Sequence, residues 1–265
     1  MCLAADVGDE GGGLGDGDRG DGGAAVHVRD GDGRAWQVSV LLRGEPRVLR
    51  GWSERGEPGR VAFCATVLLV GAGVYGAAMG WWRAPMAGLF VAIKFPLILL
   101  LTALGNALLN AMLAPLLGLN ISLRQACWAN LLSFTIASAI LGAFAPLAAF
   151  LVWNAPPMTA DTIRSAGTYS FIQLTHVVAI AFAGIAANVR LVQLLRELSG
   201  SAATAWRVLF AWLVGNLFLG SQITWILRPF IGSPNLPVEF LRPNAFQGNF
   251  YETVFGSLLR LLNVD

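Results

Sequence analysis

Between Arg60 and Arg196 the chain carries one acidic residue, Asp161, and over that stretch its apolar residues run in long blocks. A folded chain must hide such blocks in a core or surround them with lipid. Composition decides between the two. Of the 265 residues, 55% are hydrophobic and only 13% charged, whereas ordinary soluble domains are about a quarter charged. Such a chain cannot cover its surface with polar groups in water. The expected fold class is therefore all-α: a polytopic helical membrane protein of about five transmembrane helices plus interfacial helices.

The spans are expected over residues 61–81, 96–117, 126–153, 169–189 and 206–227. Residues 84–94 read as an interfacial segment, set apart from the second span by Lys94-Phe95-Pro96, with Lys94 snorkelling to the headgroups. The first span carries Gly76 and Gly80 in a GxxxG pattern, extended backwards by Ala72. This gives a small-residue face that another helix can approach closely. Trp81-Trp82-Arg83 reads as an interface anchor.

Four regions follow. Residues 1–25 are Gly/Asp-rich and expected to be a disordered leader. Residues 26–60 form a small soluble or juxtamembrane segment, with a hairpin around Asp30-Gly31-Asp32-Gly33 and an arginine cluster at Arg43, Arg47, Arg50, Arg55 and Arg60. Residues 61–227 are the helical bundle. Residues 228–265 combine a Pro-rich loop, apolar enough to pack on the helices, with an amphipathic C-terminal helix over 249–262. The net charge of +2 averages an acidic leader and a nearly charge-free bundle. That average therefore says nothing about nucleic acid; the apolar blocks make the lipid bilayer the expected partner, and no nucleic acid is expected. The arginine cluster, with Arg124, Arg190, Arg196 and Arg207, favours a cytoplasmic N-terminus; Arg83, Lys94, Arg164, Arg228 and Arg242 then lie outside.

Chemistry-bearing residues are sparse. His27 and His176 are the two histidines, and Cys2, Cys64 and Cys127 have no metal or redox spacing. The early glycines lack the Gly-Lys-Ser/Thr of a phosphate loop. No metal, no cofactor and no catalytic residue is expected, and the chain reads as no enzyme. Spans without carboxylates also give no support to proton-coupled carriers or cation-conducting rings. What remains is a polar set: Asn106, Asn110, Asn130, Gln173, His176, Asn216 and Gln222. These residues either line a polar cavity or hydrogen-bond between helices, at about 0.6 kcal/mol per contact. Arg228 ends the fifth span. It is a candidate anchor, for lipid phosphate or for the Pro-rich loop through a carboxylate such as Glu239.

Lys94-Phe95-Pro96, then Gly220-Ser221-Gln222-Ile223-Thr224-Trp225-Ile226-Leu227-Arg228-Pro229-Phe230-Ile231-Gly232-Ser233-Pro234, then Leu236-Pro237, Arg242-Pro243 and Gly248-Asn249-Phe250-Tyr251-Glu252 form a specific string. It resembles a group of bacterial polytopic membrane proteins with a Leu-Arg-Pro-Phe-x-Gly-Ser-Pro signature, over roughly residues 60–262. The resemblance implies a bacterial cytoplasmic (inner) membrane protein and brings no activity with it. Gly118 to Gln125, with Ser122 and Arg124, is similar to the turn joining a helix pair in Yip1-type membrane proteins, which points to membrane organisation.

Two functions are open at this level. One is a non-enzymatic scaffold or subunit of a membrane complex, as a homo-oligomer or with a membrane-protein partner, using the GxxxG face and the apolar tail. The other is a channel or carrier for an anion or neutral solute, using the Asn/Gln/His set. They differ in whether those side chains converge on one cavity or scatter among helix contacts.

Overall fold

The computed structural model describes residues 58–159, 167–232 and 237–252. The 1–25 leader, the 26–57 segment with its hairpin, the Asp161 and Arg164 loop residues and the tail beyond Glu252 lie outside them. Five helices follow in order: α1 (Pro58–Trp81), α2 (Pro85–Leu116), α3 (Leu123–Asn154), α4 (Gly167–Ser199) and α5 (Ala202–Leu227). All five are long and apolar enough to cross a membrane, and no strand occurs among the described residues. Large apolar side chains cover the outside, with Leu116 81%, Trp153 87% and Leu217 72% exposed. Side chains of this kind over the whole girth are stable against lipid and not against water. The chain is thus built as a multi-pass integral membrane protein.

The helix ends are local chemistry. Gly118 (φ 87°) closes α2 in a Schellman motif: Leu119 N–H donates to Ala114 O at 2.9 Å and Gly118 N–H to Pro115 O at 3.1 Å. Ser122 then opens α3 in a capping box, accepting from Gln125 N–H while the Gln125 side chain accepts from Ser122 N–H at 2.9 Å. Gly200 (φ 64°) ends α4, and Ser201 caps α5. Connections this short force neighbouring helices antiparallel, and Tyr169, its ring 5.9 Å from that of Trp82, places the start of α4 beside the α1–α2 turn. The α2–α3 and α4–α5 turns therefore share one face with the start of α1. This is the proximal face. The α1–α2 turn, the end of α3 and the tail after α5 share the other, distal face.

The break expected at Lys94-Phe95-Pro96 is absent, since α2 runs unbroken for 32 residues through Pro96. Proline removes one backbone donor, and in a membrane bundle neighbouring helices compensate for the loss. The carbonyl left without its usual partner, Ala92 O, faces Gly73 of α1, whose ideal Cβ position lies 3.3 Å away. Lys94 does not snorkel either. It is fully buried, covered by the tail.

The GxxxG face is used within the chain. A Cβ on Gly76 would stand 2.7 Å from Val91 O, and one on Gly80 2.6 Å from Ala87 O, so α1 and α2 touch backbone to backbone. Gly142 of α3 meets Gly71 of α1 in the same manner, its ideal Cβ 3.0 Å from Gly71 Cα. Helix α1 thus sits in the groove between α2 and α3, while α2, α3, α4 and α5 close a ring. Trp81 is 56% exposed at the distal end of α1. Trp82 turns inward, 7% exposed, with Nε1 donating to Pro156 O at 3.0 Å.

Candidate functional site

The ring of four helices is unevenly packed. At the proximal end Leu191, Leu194 and Leu195 of α4 pack with Ala205, Val208, Leu209 and Trp212 of α5 in one core. Towards the distal face α4 and α5 draw apart, and a cavity of about 950 Å³ lies between them, with α2 and α3 behind. Its wall is mostly apolar. Val177, Ile180 and Leu217 line it and remain 53%, 38% and 72% exposed, so the cavity opens sideways between the two helices. Pro229, Phe230, Ile231 and Gly232 lie at its distal end, with Arg228 and Arg242 beside them.

The polar set divides. Gln173, His176 and Asn216 line the cavity, joined by Thr102, Ser133, Asn188, Ser221 and Thr224. His176 Nδ1 pairs with the Tyr75 hydroxyl at 2.9 Å, across α4 and α1. Asn106, Asn110 and Asn130 are buried at helix contacts, 0%, 1% and 1% exposed. Asn106 Nδ2 donates to Trp212 O at 3.3 Å and to Asn216 Oδ1, tying α2 to α5. Asn110 Nδ2 donates to Asn130 Oδ1 at 3.4 Å, tying α2 to α3. Gln222 accepts from Phe250 N–H at 3.3 Å and so holds the tail. The two sequence alternatives, cavity and helix contact, are thus both present, with Asn216 serving each.

The Asn106–Asn216 link is measurable. In a double-mutant cycle of Asn106→Leu and Asn216→Leu, thermal melts in detergent should give a coupling of about 0.6 kcal/mol, and no more than about 1.7. Additive single effects would show that the pair does not interact.

At the distal face the tail folds back over α2. Lys94 Nζ donates to Pro229 O at 3.3 Å and Glu239 O at 3.5 Å, and lies 5.2 Å from the Phe240 ring centroid. Phe240 meets Phe90 edge-on at 5.6 Å. Tyr251 stacks on Phe218 at 5.3 Å, its hydroxyl donating to Phe218 O at 2.8 Å. Asn249 accepts from Glu252 N–H at 2.8 Å, opening the last helical turn that the structure describes. A second, smaller pocket of about 370 Å³ lies under this tail. Arg83, Lys94, Arg228, Arg242 and Glu239 are among its walls.

Arg228 forms no ion pair with Glu239. Its guanidinium lies over the Trp225 ring, 3.0 Å from the centroid, and its Nε and Nη1 are buried without a hydrogen-bond partner. The loop is anchored instead by Lys94 through backbone carbonyls. From the sequence, Arg83 and Lys94 read as interface residues and Arg242 as a base weighing on orientation, none of them as part of a pocket. One signal was available: five alternating spans place all three on the same face as Arg228. Among the described residues no group of three His, Cys, Asp or Glu side chains could hold a metal ion.

The fold and site together define a helical membrane protein with five spans among the described residues, a lateral cleft and a cationic pocket at its distal end. Neither protein-family models, nor curated proteins, nor solved structures match the chain.

Proposed function

We propose that the chain is a non-enzymatic membrane protein that takes up an amphiphile from the bilayer into the cleft between α4 and α5, acting as a carrier. One observation carries this reading: a large, mostly apolar cavity open sideways through side chains that face lipid. A lateral opening suits a ligand that arrives along the membrane, and a thin polar lining suits one that is mostly hydrocarbon. A scaffold or complex subunit is less well supported, because Gly76 and Gly80 already bind α2 and the tail already packs on its own helices.

The location that goes with this reading is a bacterial cytoplasmic membrane with the N-terminus inside. The Leu-Arg-Pro-Phe string supports the first part, and the arginines before α1 support the second. The cleft then widens towards the outer leaflet.

Native mass spectrometry tests the uptake. Protein released from nanodiscs of mixed phosphatidylethanolamine and phosphatidylglycerol should retain one lipid per chain. Ile180→Trp and Thr224→Trp each place an indole in the cleft from an accessible position. Both should lower retention about tenfold, equivalent to about 1.4 kcal/mol. Equal retention by both variants and the parent would sink the carrier reading.

A further inference from the structure

We infer that the amphiphile is a lipid whose headgroup ends in a phosphomonoester or diphosphate, held by Lys94, Arg228 and Arg242 beneath the tail. The inference deepens the carrier reading and rests on it.

The first argument is continuity. Arg228, Arg242 and residues Pro229 to Gly232 line both the pocket under the tail and the lateral cleft. A single molecule can place a charged end in one and its chains in the other.

The second argument is charge. Arg83, Lys94, Arg228 and Arg242 face the pocket, with Glu239 as the one carboxylate lining it among the described residues. Among the described residues no ion pair holds Lys94, Arg228 or Arg242. Lys94 is wholly buried, with carbonyl oxygens as its hydrogen-bond partners. Buried cations without a counter-charge are costly, and an anion at this point removes that cost. The excess of positive charge over Glu239 favours a headgroup bearing more than one negative charge.

The third argument is geometry. Trp225 occupies the face of the Arg228 guanidinium, which fixes its plane and leaves its edge. Nε and Nη1 are buried and without a hydrogen-bond partner, so the guanidinium carries unsatisfied donors at the point where the two pockets meet. Gly232 (φ 80°) lets the loop lie against the Arg83 stem, with its ideal Cβ 3.5 Å from Arg83 Cγ. In the orientation proposed above, these bases lie on the side that the Lys/Arg bias depletes. A headgroup ligand accounts for their presence there.

The test uses the full chain in phosphatidylcholine nanodiscs doped equally with phosphatidic acid and diacylglycerol, read by native mass spectrometry. Phosphatidic acid should be retained over diacylglycerol by about tenfold or more. Arg228→Gln with Arg242→Gln should abolish that preference. Arg207→Gln, on the proximal face, should keep it. If the double variant does not fold, Arg242→Gln alone, at a half-buried tail position, should reduce the preference.

Equal retention of both lipids by the parent protein overturns the headgroup inference and leaves the carrier reading standing. Retention of neither overturns both. Millimolar inorganic phosphate should fail to displace phosphatidic acid. If it displaces the lipid fully, and diacylglycerol is never retained, the pocket serves a soluble phosphate and the lipid inference falls.

Discussion

Gly76→Leu is expected to prevent α1 from seating on α2. The new Cβ alone would lie 2.7 Å from Val91 O and 3.0 Å from Phe95 Cβ, and the first of these is backbone. A flexible side chain can move aside; a helix carbonyl moves only with its helix. Overpacked cores usually lose about 1–3 kcal/mol, and rigid backbone opposite the substitution puts this case at the top of that range or beyond it. Thermal unfolding in detergent, followed by the fraction that stays monodisperse after heating, should show a large fall or no folded protein. Gly184→Ala is the control. It lies within α4 with nothing inside 4 Å of its ideal Cβ, so it should be neutral or slightly stabilising. A Gly76→Leu protein that melts with the parent would show that the glycine face is not a contact. It would also reopen the scaffold reading, in which that face awaits a partner.

Lys94→Met is expected to loosen the tail while leaving the bundle folded. The ammonium joins α2 to two separate points of the tail, at Pro229 O and Glu239 O. Methionine has a similar volume and no donor, so both carbonyls lose a charged partner, at about 1–3 kcal/mol for a buried group. Removing a buried charge also relieves its desolvation, and replacement of such charges by apolar groups is often neutral for the fold as a whole. The two effects fall on different parts of the molecule. Amide exchange over 237–252, where Ala245 N–H donates to Arg242 O and Gln247 N–H to Asn244 O, should rise about tenfold or more. Exchange within α1 and α3 should stay as in the parent. Uniform exchange across the tail in both proteins would mean that Lys94 does not hold it.

Legibility followed the range of the interactions involved. The five helices were readable because span length and apolar content are sums over neighbouring residues. The ends at Gly118, Ser122, Gly200 and Ser201 were set by chemistry within a turn or two. Pro96 misled for the same reason, since locally it breaks a helix. In the packed bundle the helix continues through it, with Gly73 of α1 lying close to Ala92 O, a contact between distant parts of the chain.

The site was less visible. The sequence singled out Gln173, His176, Asn216 and Arg228 as polar residues in apolar company. It could not separate them from Asn106, Asn110 and Asn130, because a buried helix contact and a cavity wall require the same residue types. Nor could it place Lys94 under a tail joined to it across more than a hundred residues.

By itself, then, the sequence determined the class of this chain: an all-α helical membrane protein of about five spans. Lipid solvation and helix capping act through residues close in the chain, so they can be read there. The tertiary structure alone decided three things: that the GxxxG face is filled from within, that α4 and α5 part towards the distal face, and that the tail covers a pocket of basic side chains. Each depends on which distant surfaces come to rest against one another. Only the packed bundle specifies that.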